Sequence, residues 1–147
     1  MGGKKNKGGG GKGKSKGSAE DEDMTLKMIE GFWKFYKKNC TALEIPVCPI
    51  IRDKYDAWVE EQEIPNKFHI WTELGWAGTR SIMDALRDSK YNLCTSIRLW
   101  KTFCEDEGAR AVCQYLEHTK SVNFLELLDN NITPLGCEFL SKALHPK

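Results

Sequence analysis

At 147 residues, 40% hydrophobic and 29% charged, the chain has room for about one domain and is too apolar for full-length disorder. Its formal charge of +1 is unevenly spread: residues 1–18 hold six lysines and no acid, which leaves the remainder with a net charge of −5. No apolar run approaches the roughly 20 residues that span a bilayer and no secretory h-region follows Met1, so a membrane channel and a collagen-like fibre are excluded and a cytoplasmic protein is expected.

Between Met1 and Gly17 stand eight glycines and six lysines: Lys4, Lys5, Lys7, Lys12, Lys14 and Lys16. Such a segment cannot bury enough apolar surface to offset its ordering entropy. Residues 1–23 are therefore assigned to a disordered Gly/Lys-rich arm and the acidic stretch Glu20-Asp21-Glu22-Asp23. Two readings of the arm stand. It is a solubilising extension, or it is attracted to an anionic polymer such as RNA, an acidic protein tail or a membrane surface, although it carries no aromatic residue to stack on bases. Gly2 could open a myristoylation signal, but Asn6 stands where Ser or Thr is required. The acids either fold back on the lysines or begin the next helix, where the helix dipole favours negative charge.

From Met24 to about Lys38, Leu26, Ile29, Trp33 and Tyr36 recur at helical spacing, with Met28, Phe32 and Phe35 widening the stripe. Pro46 and Pro49 make Glu44–Ile50 an extended connector. A second helix is predicted from about Ile51 to Gln62, with Ile51, Tyr55, Trp58 and Val59 on one face and Pro65 closing it. These helices place a helical N-terminal cap at 24–70. The six cysteines contain no C-x-x-C pair and are read as reduced thiols serving as small hydrophobes. His69, His118 and His145 form no close-spaced pair with a cysteine, so no metal and no cofactor are expected.

Beyond residue 90, a shift of 28 residues superposes Cys94 on Val122, Ile97 on Leu125, Leu99 on Leu127, Thr102 on Asn130, Cys104 on Ile132, Gly108 on Gly136, Val112 on Leu140 and Leu116 on Leu144. Each unit opens with alternating apolar residues, as a one-sided strand requires, and continues with apolar residues at helical spacing. Thr133 can cap the second unit's helix, with Pro134 in its first turn. In the first unit, Glu105, Asp106 and Glu107 complement a helix dipole. Asn130 stands just past a strand, where a short amide can satisfy backbone groups that the turn leaves over; Thr102 imitates this only in part.

The stretch Leu125-x-Leu127-x-x-Asn130-x-Ile132-x-x-x-Gly136-x-x-x-Leu140-x-x-x-Leu144 resembles the leucine-rich repeat family, and the 28-residue spacing resembles its ribonuclease-inhibitor-like class. Gly78, Ile82 and Leu86 match the helical half of an earlier unit, with Thr72 and Leu74 in the turn. The resemblance covers Trp71–Leu144 and assigns 71–147 to the repeat segment. It implies an α/β fold: a short leucine-rich repeat solenoid of strand-helix units with parallel strands, behind the helical cap and the disordered arm. It also implies partner binding through the exposed strand side chains. Ile97, Leu99, Leu125 and Leu127 would point into the core and Arg98, Trp100, Glu126 and Leu128 outward, with Lys101 and Asp129 at the turn. Arg98 would then sit beside Glu126 and Trp100 beside Leu128, giving an apolar centre flanked by charges.

Repeat arrays need polar caps, and none follows the second clear unit before His145-Pro146-Lys147. The expectation is a terminal edge completed by a partner or a second copy, or a chain shortened from a longer repeat protein. No nucleophile elbow, phosphate-binding loop, zinc motif or calcium loop occurs, so no enzyme is expected. The sequence thus predicts a non-catalytic protein-protein adaptor or scaffold. By analogy with proteins that join a basic Gly/Lys arm to a leucine-rich repeat body, it would serve a cytoskeletal or ciliary assembly. The alternative is a nucleic-acid- or ribosome-associated protein recruited through the arm.

Overall fold

The computed structural model describes residues 18–128 and 130–144. Expectations for Lys4, Lys5, Lys7, Lys12, Lys14, Lys16, Gly2, Asp129 and residues 145–147 lie outside the described residues. Two helices, α1 (Ser18–Leu43) and α2 (Pro49–Glu61), precede β1 (Lys67–Ile70), α3 (Gly75–Asp88), β2 (Ser96–Trp100), α4 (Glu105–His118), β3 (Phe124–Leu128) and α5 (Pro134–Leu144). The fold is mixed α/β. Its three strands form one parallel sheet in the order β1-β2-β3, and the helices pack in the same sense, α1 on α3, α3 on α4 and α4 on α5.

The acidic stretch, grouped with the disordered arm at 1–23, is helical: α1 starts at Ser18, with Glu20 and Asp21 in its first turn and Asp23 paired to Lys27 at 3.2 Å. Carboxylates at a helix N-terminus offset the partial positive charge of its unpaired N–H groups. Farther along, Ile29, Phe32, Trp33, Tyr36 and Cys40 are buried, whereas Leu26, read as part of that stripe, is exposed. Its position explains this. Gly31 lies opposite Ser89 and Asn39 Nδ2 donates to the Ser81 carbonyl at 3.1 Å, so α1 runs antiparallel to α3 and its first turns pass beyond the end of that helix.

Pro49 begins α2, two residues before the expected start, because a residue without an N–H suits the first helical position. Gln62 ends the helix in the left-handed conformation at φ 59°. Ile51 and Trp58 are buried, and Val59, expected on the same face, is exposed. Tyr55 stacks on Trp33, with 4.6 Å between centroids and 10° between planes, and donates to Glu30 Oε1 at 2.7 Å.

The sheet begins earlier than expected. β1 falls inside the 24–70 stretch assigned to the helical cap, before the 71 boundary of the strand-helix segment. Four residues after a proline carry little periodicity of their own, and β1 pairs with β2 at a spacing of 29 residues (Lys67 with Ser96, Phe68 with Ile97), whereas β2 pairs with β3 at 28 (Ile97 with Leu125, Leu99 with Leu127). A single shift therefore finds only the second pairing.

Inward-facing Phe68, Ile70, Ile97 and Leu99 are fully buried, each worth about 1.5–3 kcal/mol against exposure. Leu125 and Leu127 are only half-buried. Two buried tyrosines tie successive layers together: Tyr115 donates to the Tyr91 carbonyl at 2.6 Å, and Tyr91 donates to the Pro65 carbonyl.

The turns after the strands are joined by Asn130. Its Nδ2 donates to the carbonyls of Leu99 (2.8 Å) and Leu128 (3.0 Å), while its Oδ1 accepts from the Thr102 N–H (3.0 Å) and hydroxyl (2.6 Å). Thr102 in turn offers its carbonyl to the N–H groups of Leu74 and Gly75, carrying the network back to the turn after β1.

At the start of α5, Thr133 caps as the sequence suggests, its hydroxyl accepting from the Leu135 N–H at 3.3 Å. Asp106, read only as complementing its own helix dipole, also reaches across to that cap. It accepts the Thr133 N–H at 2.8 Å and the Thr133 hydroxyl. The Thr133 hydroxyl and backbone hydrogen bonds hold the Asp106 carboxyl below the usual aspartate value. A lowered folded-state pKa supplies stability that is complete above the unfolded value and is lost as pH falls through the folded one. Amide protection in the first turn of α5 should therefore fall as pH drops below about 3.8. In Asp106→Asn it should be weaker at neutral pH and insensitive to acid over that window; hydrogen exchange against pH reads both, and an unchanged acid profile in the variant would remove Asp106 as the cause.

Candidate interaction surface

Strand alternation turns one side of each strand to the core and the other outward. Pairing register then assembles three outward rows: Lys67, Ser96 and Phe124; His69, Arg98 and Glu126; and Trp100 beside Leu128, with Trp71 immediately after β1. The register sets Arg98 beside Glu126 and Trp100 beside Leu128, as the sequence predicts. Arg98 and Glu126 are half-buried, Trp100 and Leu128 exposed, and Lys101 is an exposed turn residue at φ 56°. Asp129, expected next to Lys101, lies outside the described residues.

Within the middle row, Arg98 Nε lies 2.8 Å from Glu126 Oε1, and the guanidinium carbon sits 5.3 Å from the Phe124 ring centroid. Nε is buried yet makes no aligned hydrogen bond, so the approach to Glu126 is a charge contact more than a directed bond. With both side chains about two-fifths exposed, the pair contributes at most about 1 kcal/mol. His69 Nε2 stands 2.7 Å from Ser96 Oγ. Burial, followed by the charge of Arg98 and then Lys54, lowers the His69 pKa and keeps the ring neutral at neutral pH. Ser96 is 8% exposed, which makes this contact a cross-strand tie.

Clefts open around this core among the described residues. One of about 440 Å³ lies between the two indoles, lined by His69, Ile70, Trp71, Arg98 and Trp100. Across Trp71, a second of about 340 Å³ runs between α2 and β1 and includes Lys54, Glu63 and Lys67. A third, of about 650 Å³, sits at the C-terminal ends of α3 and α4 among Arg87, Lys90, His118 and Lys120. Its cations complement the carbonyl ends of those helices, and Arg87 is already engaged by Asp84, Asp88 and Gln114.

Five cysteines are buried and unpaired, and Cys137 is exposed. Burial pushes the thiols of Cys94 and Cys104 up to about 12 and that of Cys113 to about 11, so none is a thiolate at neutral pH. Among the described residues no cluster of His, Cys, Asp or Glu could hold a metal ion, and no helix is long and apolar enough to cross a membrane.

His69, Trp71, Lys67 and Phe124 join this face without having been singled out in the sequence. The missed signal is a direct match at 29 residues: Phe68-His69-Ile70-Trp71 against Ile97-Arg98-Leu99-Trp100. Comparison with protein-family models and with the curated proteins finds no match to this chain.

Proposed function

We propose that this chain is a non-catalytic protein-binding adaptor, built as a short ribonuclease-inhibitor-like leucine-rich repeat array that docks its partner on the outward face of the sheet. One observation carries the reading: Trp100 and Leu128, neighbours in the β2–β3 register, are 47% and 42% exposed, with Trp71 still more open nearby. Large apolar groups held side by side on a rigid ribbon, rimmed by Arg98, Glu126 and Lys101, match the anatomy of an interface centre. The repeat assignment is supported by the in-register parallel strands, the helices stacking in the same order, and the Asn130 network at the turn. Among the described residues β3 pairs with β2 alone and keeps Phe124 and Leu128 exposed, so a further strand-helix unit from a partner or a second copy would fit its free edge.

Trp100→Ala and Leu128→Glu test the face. Each side chain keeps over two-fifths of its surface exposed, so crosslinking in native cell extract should recover the partner at least about tenfold less, equivalent to 1.4 kcal/mol, while the variants still melt cooperatively. Undiminished recovery with both variants removes the ribbon as the contact site. Deleting residues 1–18 should leave that recovery intact and alter only its salt dependence.

A further inference from the structure

We infer that the cleft between Trp71 and Trp100 receives an apolar side chain of a partner peptide segment, with a neighbouring carboxylate of that segment reaching Arg98. The inference rests on the ribbon being the docking face and specifies what docks there. Two indoles, 63% and 47% exposed, wall a cleft of about 440 Å³ whose floor is His69, Ile70 and the Arg98 stem. Aromatic walls by themselves suit either an apolar group or a cation, since a ring face attracts positive charge.

The charges decide between these. The lining contains one permanent cation, Arg98, and no carboxylate. Among the described residues, the carboxylate paired with Arg98 is that of Glu126, which meets it from the β3 side, away from Trp71. Lys67, exposed in the outward row of β1, adds to the positive potential. A lysine or methylated lysine would meet repulsion from Arg98, Lys54 and Lys67 that Glu126 offsets only in part, whereas an apolar anchor next to Asp or Glu gains ring contact and charge attraction together.

The test uses the full chain and the indole N–H resonances of Trp71 and Trp100, assigned with Trp71→Phe and Trp100→Phe. The probe is an acetylated, amidated Gly-Asp-Leu-Asp-Gly peptide, alongside versions with Asn for Asp, Lys for Asp, and Ala for Leu. The Asp-Leu peptide should shift both indoles, with binding weakened about tenfold by Arg98→Gln or by the Asn version. Equal or tighter binding of the Lys version, or no shift with any peptide, overturns the inference.

Partner crosslinking separates this failure from that of the ribbon. If recovery is lost with Leu128→Glu but survives both Trp71→Ala and Arg98→Gln, the face stands and the cleft is not its anchor point. If it survives Leu128→Glu and Trp100→Ala as well, the docking face falls and the cleft proposal with it.

Discussion

Asn130→Ala is expected to lower the unfolding free energy by about 3 kcal/mol, among the largest effects for a polar residue in this chain. The side chain is 3% exposed and makes four hydrogen bonds of 3.0 Å or less, two as donor and two as acceptor. Alanine leaves the carbonyls of Leu99 and Leu128 and the N–H and hydroxyl of Thr102 facing a small cavity, at about 1–3 kcal/mol for each group that water fails to reach. Urea denaturation measures it as a lower midpoint at constant slope. Asn130→Asp serves as a second probe, because a carboxylate keeps the acceptor role but places charge against two carbonyl oxygens. Its loss should be at least as large and should shrink in acid. Thr102→Val removes only the hydroxyl and should cost about 1 kcal/mol. If Asn130→Ala costs less than Thr102→Val, the amide is not what joins the turns.

Gly108→Val is expected to cost about 3 kcal/mol, through crowding and not through backbone conformation. A Cβ at Gly108 would come within 2.6 Å of Cys104 Cβ and 3.3 Å of Thr79 Cβ, where α4 meets α3. At Gly136, 28 residues later, it would collide with Ile132 and with the Asp106 carboxylate that caps α5. These glycines set how closely successive helices approach. Gly31 is the contrast: its Cβ would meet only Ser89 Cβ, at an ordinary 3.6 Å, inside α1. Gly31→Ala should therefore stabilise the chain by about 0.5–1 kcal/mol through helix propensity alone. Thermal melts of the two variants should move in opposite directions from that of the parent chain; a shared destabilisation would mean that helix packing tolerates no change at either position.

The strand-helix alternation was legible where side-chain period and repeat spacing agreed. Ile97, Leu99, Leu125 and Leu127 alternate, recur at 28 residues, and do face inward in adjacent parallel strands. β1 was hidden because Lys67–Ile70 is one residue out of that spacing and sits between a proline and a tryptophan. The start of α1 was misplaced because Ser18–Asp23 has no apolar stripe, and its helicity comes from charge at the helix end and continuity with Met24 onward.

Half of the exposed face followed from the same register. Arg98, Trp100, Glu126 and Leu128 could be placed from one pairing, whereas His69 and Trp71 needed the pairing that the sequence concealed. The polar cross-ties were less accessible still. Asp106 is one of three consecutive acids, and nothing in the chain order shows that it, and neither of its neighbours, turns toward Thr133. Such a choice depends on the rotation of α4 against α5, which only the packed structure fixes.

The half-buried state of Leu125 and Leu127, against the fully covered Ile97 and Leu99, makes the molecule directional. Among the described residues, the layer of β3 and α5 packs on β2 and α4 and is strapped to α4 at the surface by Asp106. In a chain of nearest-neighbour interfaces, the segment with one flank detaches first. Its departure is not local, because Asn130 leaves with it and strips the turn after β2 of its hydrogen-bond partners. Fraying at this end would therefore hand the defect inward, rung by rung, and a partner docked across Trp100 and Leu128, as proposed above, would act as a clip that stops it at the first.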